Sequence, residues 1–145
     1  MKTIYSVLLL PFLIVLLLVT PVNGSEDWVE YSSSNDGTNI YYKKVSIEHR
    51  TKDLVQVWFK VVFSDEGKKD YIDRMTDRKW DKFSHILILQ EIDCKKQMVQ
   101  ILSITDYDTD GKVLETKSPD KPEWDNVIPG SMGDNLREKV CNNQY

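Results

Sequence analysis

Three alternating aspartates followed by a glycine form the most metal-like pattern in the chain, at Asp106, Asp108, Asp110 and Gly111. The pattern D-x-D-x-D-G opens an EF-hand calcium loop, in which alternate carboxylates and a glycine wrap the cation. The twelfth position of such a loop needs a bidentate Glu, but here it is Lys117. The flanking residues have the pattern of strands, so a hairpin turn with glycine at positive φ accounts for the same residues. We therefore expect a turn here, with calcium binding as the alternative.

Residues suited to nucleophilic, acid–base or zinc chemistry are not grouped in the sequence. The two histidines, His49 and His85, are far apart, and neither lies beside a nucleophile motif. No Cys and His pair has zinc-ligand spacing, and no glycine-rich phosphate loop is present. Nothing singles out an acid–base pair among the carboxylates. The sequence therefore predicts a non-enzymatic protein with no catalytic, metal or cofactor-binding residues.

The N-terminal segment has the pattern of a cleaved signal peptide. A short basic start precedes an apolar run over residues 4–19, and a small residue, Gly24, ends the segment. An uncleaved membrane anchor is the alternative, but the run contains Pro11 and is shorter than the roughly 20 residues that a bilayer span needs. We expect residues 1–24 to be a signal peptide and residues 25–145 to form a single domain.

The predicted domain is mildly acidic and contains two cysteines. Removal of Lys2 with the signal peptide leaves 18 basic and 23 acidic side chains, a net charge of −5. That balance argues against nucleic acid as a partner. Two cysteines in an exported chain, Cys94 and Cys141, favour one disulfide, with a pair of free thiols as the alternative.

The elements that must position these residues are mostly strands. Two apolar runs between His85 and Tyr107 flank a polar turn that contains Cys94, a pattern typical of a central antiparallel hairpin. The β-branched and aromatic run Leu54–Phe63 predicts a long strand beside it. Further strands are predicted at Trp28–Tyr31, Asn39–Tyr42 and Lys112–Glu115. On the returning strand of the hairpin we expect simple alternation of Met98, Leu102 and Ile104 against Val99 and Ile101.

Two segments interrupt the strand pattern. Residues Ser64–Ser84 are dense in charge and predict a solvated loop with one or two helical turns, its end attached to the core by Trp80 and Phe83. A partner-binding loop is the alternative, because exposed loops often carry function. After an irregular connection that we expect Trp124 to anchor, a C-terminal helix is predicted. Its signals are a cap by Ser131 with Asp134 and an apolar stripe of Met132, Leu136 and Val140.

Several short motifs, taken in order, resemble the surface-adhesin E family of exported bacterial proteins. They extend over nearly the whole mature chain: Trp28-Val29, Asp36-Gly37, Tyr41-Tyr42, Val57-Trp58-Phe59-Lys60, Glu91-Ile92-Asp93-Cys94, Tyr107-Asp108-Thr109-Asp110-Gly111, Pro119, Trp124, Ile128-Pro129-Gly130-Ser131 and Cys141. The resemblance implies an α+β fold with a small antiparallel β-sheet of about six strands, a packed C-terminal helix and a Cys94–Cys141 disulfide.

The same resemblance implies a location in the periplasm or on the cell surface and a role as an adhesin. Its partner would be a host extracellular protein, such as laminin, vitronectin or plasminogen, or a protein of the bacterial envelope. The alternative is a periplasmic structural or small-ligand-binding domain with no extracellular partner. A deep apolar pocket beside the sheet would favour that alternative.

Overall fold

The computed structural model describes residues 27–75 and 77–142, so the predicted signal peptide at 1–24 lies outside the described residues. Eight antiparallel strands form one sheet. They are β1 (Trp28–Ser33), β2 (Asn39–Lys43), β3 (Glu48–His49), β4 (Leu54–Val62), β5 (Phe83–Asp93), β6 (Met98–Asp108), β7 (Val113–Lys117) and β8 (Asp125–Asn126). Two α-helices, α1 (Asp65–Ile72) and α2 (Met132–Cys141), complete the α+β fold, with short 3-10 turns at Lys44–Ser46 and Arg78–Lys82.

The sheet is built around three long strands. Its order is β1-β2-β4-β5-β6-β7, with the two-residue strand β3 also paired to β4 and β8 also paired to β6. Strand β5 pairs with β4 and β6 along nearly its whole length, which confirms the predicted hairpin and the long strand beside it. The predicted antiparallel sheet with a C-terminal helix is therefore correct.

Both helices pack on the same face of this sheet, over two separate hydrophobic cores. The first core lies under α2, where Leu136 and Val140 bury themselves against strand residues Tyr42, Val55, Val57 and Ile92. The second lies toward α1 and contains Trp80, Phe83, Ile86 and Ile88. Phe59 packs against both cores. Full burial of one such side chain contributes roughly 1.5–3 kcal/mol, so Leu136 and Val140 hold α2 on the first core. Helix α1 packs on the second core through the partly buried side chains of Tyr71 and Ile72.

A bulge in β6 breaks the alternation expected from the sequence. Gln90 lies opposite Ile101 and Leu89 lies opposite Ser103, so Leu102 is an extra residue in the ladder. The residues of β6 that face the helices therefore have odd numbers before the bulge and even numbers after it. Val99 packs against the first core and Ile104 against the second. The prediction of simple alternation was wrong because a single extra residue reverses which side chains point inward.

The charged segment between β4 and β5 is more ordered than a solvated loop. The Ser64 hydroxyl accepts the Gly67 N–H at 3.0 Å and caps the eight-residue helix α1. The predicted helical turns are therefore confirmed. Trp80 and Phe83 are each 3% exposed, which confirms that they attach the end of this segment to the core. Trp124, by contrast, is 36% exposed and belongs to neither hydrophobic core.

Helix α2 follows the sequence prediction closely. The Ser131 hydroxyl accepts the Asp134 N–H at 3.2 Å, which is the predicted cap. Leu136 and Val140 are buried, but Met132 at the start of the stripe is 47% exposed. The helix ends at Cys141, whose disulfide joins it to Cys94 at the tip of the β5–β6 hairpin. Within the described residues, neither helix is long and apolar enough to cross a bilayer.

Candidate functional site

Between α1 and α2 the sheet is left uncovered, and the gap forms a cleft of about 610 Å³ that we call the central cleft. Its floor consists mainly of inward-facing strand residues: Tyr31, Ile40, Phe59, Val61, Ile86, Gln90 and Ile101, with Phe63 just after β4. One wall comes from α1 (Gly67, Asp70 and Tyr71) and from Arg74 just after its end, and the opposite wall comes from Met132 and Gly133 of α2. The turn between β1 and β2 closes one end with Ser34, Asp36 and Thr38.

The central cleft exists because the two cores are separate. Each helix covers one part of the sheet, and neither reaches the middle of β4, β5 and β6. Two apolar side chains are left in solvent as a result, since Ile101 is 40% exposed and Met132 is 47% exposed. The volume of the cleft falls within the roughly 300–1,000 Å³ that is typical of ligand sites.

Gln90 is the polar residue in the floor of the cleft. It is 7% exposed, yet its side-chain amide has no hydrogen bond to any residue in 27–75 or 77–142. The side chains of Gln56 and Gln100, on the strands beside β5, are paired, because both donate to Glu91 on the opposite face of the sheet. Gln90 was not predicted as a site residue, although it takes the place of an apolar residue in the inward series of Ile86, Ile88 and Ile92.

The acidic group at the end of the cleft is held by a local hydrogen-bond network. Asp36 accepts the Thr38 N–H at 3.1 Å, the Thr38 hydroxyl at 3.0 Å and the Ser64 hydroxyl at 3.2 Å, and it also accepts the Ser34 hydroxyl. These hydrogen bonds lower the pKa of Asp36 to about 2, and the bond from Ser34 has the largest effect. Asp36 is therefore ionised at neutral pH and gives this end of the cleft a negative charge.

The predicted acidic turn folds as a hairpin turn. The Asp108 carboxylate accepts the N–H groups of Asp110 and Lys112, at 2.9 and 2.7 Å, and Gly111 has φ +78°. Asp110 pairs with Lys82 at 3.3 Å. Among the described residues no group of three His, Cys, Asp or Glu side chains could hold a metal ion. The hydrogen bonds to Asp108 and the positive φ of Gly111 show that Asp108–Lys112 forms the predicted hairpin turn.

Asp106, the first residue of that pattern, instead faces the inside of the protein. It is fully buried, and its Oδ1 accepts the Tyr71 hydroxyl of α1 at 2.7 Å. Its Oδ2 is buried without a hydrogen-bond partner in the described part of the chain. Burial raises the pKa of Asp106 above its usual value, and the same burial raises that of Tyr71. The contact joins the cleft wall to β6.

The structure does not bring the two histidines together. His49 lies opposite Val55 and His85 lies opposite Val62, which are near opposite ends of β4. His49 is exposed, and the His85 ring stacks on Tyr107 with centroids 5.1 Å apart. Neither histidine lines the central cleft.

Comparison with solved structures identifies the same fold in Haemophilus influenzae. The selenomethionine form of protein E from that organism superposes with a TM-score of 0.56 at 12% identity, covering 87% of this chain and 94% of that one. A second structure of protein E gives a TM-score of 0.55 at 14% identity, with 87% and 92% coverage. At such low identity the likeness shows the fold alone.

Sequence comparison supplies the family. Among curated proteins, none shows significant sequence similarity to this chain. The sequence model of the surface-adhesin protein E family matches residues 28–142, which include every strand and helix described above. Proteins of this family are exported to the periplasm or the cell surface. This chain belongs to the surface-adhesin protein E family.

Proposed function

We propose that this exported protein is a non-enzymatic adhesin that binds a host extracellular or envelope protein through the central cleft. The observation that carries the proposal is the pair of exposed apolar side chains in the central cleft, Ile101 in the floor and Met132 in the wall formed by α2. Apolar surface left open on a small domain is typical of an interaction site. Membership in the surface-adhesin protein E family supports the choice of a protein partner.

A small apolar ligand is the second candidate for the cleft. Its volume of about 610 Å³ supports that reading. Under this alternative the protein would act in the periplasm with no extracellular partner. A protein partner is favoured because the chain belongs to the surface-adhesin protein E family.

Binding to immobilised laminin, vitronectin, plasminogen and envelope extract tests the proposal. The exported protein, purified after expression of the full chain, is compared with Ile101→Arg, which places a charge in the floor of the cleft. Ile128→Arg is the matched control, since Ile128 is 70% exposed and does not line the cleft. We expect Ile101→Arg to weaken binding by about tenfold or more and Ile128→Arg to leave it unchanged.

Two results would contradict the proposal. Absence of binding to every immobilised protein would remove the adhesin role. Equal binding by both arginine variants would place the partner on another surface.

A further inference from the structure

We propose that the central cleft recognises an extended, apolar peptide segment without acidic side chains, and that the Gln90 side chain pairs with one of its backbone peptide groups. This inference rests on the proposed function, because it names the chemistry by which a protein partner would be held. It concerns a residue on β5 that the family resemblance did not single out.

The first argument is the hydrogen-bonding state of Gln90. Its amide lines the cleft, is nine-tenths buried and makes no hydrogen bond to the residues that the structure describes. Its polar atoms are not sealed off, since the sole fully enclosed and unpartnered polar atom in that part of the chain is Oδ2 of Asp106. Buried amides are normally paired, so this one is available to a ligand.

The second argument is complementarity. A glutamine amide offers both an N–H donor and a C=O acceptor, and a peptide group offers the same two functions in return. The surrounding floor residues Ile86, Val61 and Ile101 are apolar and suit an aliphatic or aromatic side chain. A ligand with a backbone amide beside an apolar side chain would therefore pair with the Gln90 amide and also cover the apolar residues around it.

The third argument excludes two other ligand types. A bare acyl chain would cover the Gln90 amide without pairing it, which carries a free-energy penalty. A negatively charged ligand would meet the carboxylates of Asp36 and Asp70, against one guanidinium from Arg74. The ionisable groups of the cleft therefore disfavour anions, and the Gln90 amide in its floor disfavours a purely hydrocarbon ligand.

The test is a titration of ¹⁵N-labelled exported protein followed by NMR. The main probe is a mixture of capped pentapeptides with Leu, Val, Ile or Phe at the second and fourth positions and Gly elsewhere. Laurate serves as an apolar probe without an amide, and the same peptides with a central Glu serve as the anionic probe. We expect the uncharged peptides to shift the Gln90 side-chain amide signal and to bind more tightly than either control probe.

Substitution at Gln90 separates pairing from packing. Gln90→Leu and the nearly isosteric Gln90→Met should weaken binding of the uncharged peptides by about tenfold while leaving laurate binding equal or tighter. Gln56→Leu, the same change on the opposite face, should bind like the wild type. Thermal unfolding of each variant verifies that the sheet is intact. Unchanged peptide affinity in both Gln90 variants, or no shift of the Gln90 amide by the peptides, would overturn the proposal.

The two proposals can fail independently. If Ile101→Arg abolishes binding to a matrix or envelope protein and Gln90→Leu does not, the cleft binds a partner but Gln90 forms no hydrogen bond with the partner's backbone. If peptides bind through Gln90 while no matrix or envelope protein is bound, the peptide site stands and the adhesin role fails.

Discussion

The Tyr71 hydroxyl donates a 2.7 Å hydrogen bond to Asp106, which is completely buried in β6. Asp106 has no other side-chain hydrogen bond among the described residues, so Tyr71→Phe would leave the buried carboxyl group without a partner. We expect this variant to lose about 1–3 kcal/mol in free energy of unfolding, measured by urea denaturation. Tyr107→Phe is the control, because it keeps the ring that stacks on His85. Equal stability of the two variants would show that the hydrogen bond contributes nothing.

The same aspartate should make stability depend on pH. Burial raises the pKa of Asp106 in the folded state above its usual value of 3.8, and the negative charge of Glu115 raises it further. The hydrogen bond from Tyr71 and the positive charges of Lys117 and Lys79 lower this pKa, but their effects are weaker than that of burial. The folded state therefore binds this proton more tightly than the unfolded state. The stabilisation is complete below pH 3.8 and is lost as the pH rises through the folded-state pKa.

Asp106→Asn removes that titration and keeps an acceptor for Tyr71. We expect its free energy of unfolding, relative to the wild type, to rise as the pH increases from below 3.8 through the raised pKa of Asp106 in the folded state. Denaturation at a series of pH values measures the difference. Parallel curves for the two proteins would show that Asp106 has an ordinary pKa.

The disulfide should contribute a large share of the stability. Cys94 and Cys141 are 47 residues apart, and closing a loop of that length stabilises a protein by about 4 kcal/mol in the chain-entropy model. We expect the Cys94→Ala/Cys141→Ala variant to lose roughly that amount, and a reducing agent to lower the melting temperature of the wild type alone. A variant as stable as the wild type would show that the core under α2 is sufficient by itself.

Two helical glycines should respond in opposite ways to alanine. A Cβ atom at Gly133 would meet no atom closer than the Ser131 Oγ at 3.6 Å, so Gly133→Ala should stabilise α2 by about 0.5–1 kcal/mol. A Cβ atom at Gly67 would lie 3.0 Å from both the Asp36 Oδ2 and the Thr38 Oγ1, which are held in a hydrogen-bond network. Gly67→Ala should therefore lower stability, as thermal unfolding can measure. A gain in both variants would indicate that the network adjusts without cost.

Local sequence signals predicted much of the fold. The β5–β6 hairpin and the Ser131 cap depend on residues that are close in sequence. The disulfide joins residues 47 positions apart, and its pairing was implied by the family resemblance. The bulge at Leu102 could not be predicted, because it depends on how β6 pairs with both neighbouring strands.

The candidate site was less accessible to sequence analysis for a similar reason. The central cleft combines two helices that are about sixty residues apart with the middle of the sheet. The Tyr71–Asp106 contact joins residues 35 positions apart, with no pattern that links them. The sequence shows that Gln90 interrupts an apolar series. Only the structure shows that this residue lies in an uncovered part of the sheet.

The two walls of the central cleft differ in how firmly they are attached. Helix α2 buries Leu136 and Val140 and is joined to the sheet by the disulfide, whereas α1 has no fully buried residue. Gln90 lies on β5, which is hydrogen-bonded on both sides. Fluctuations of low energy should therefore displace α1 first. The width of the cleft can thus vary at one wall while the recognition group in its floor keeps its position, so that one rigid base can accept side chains of different size.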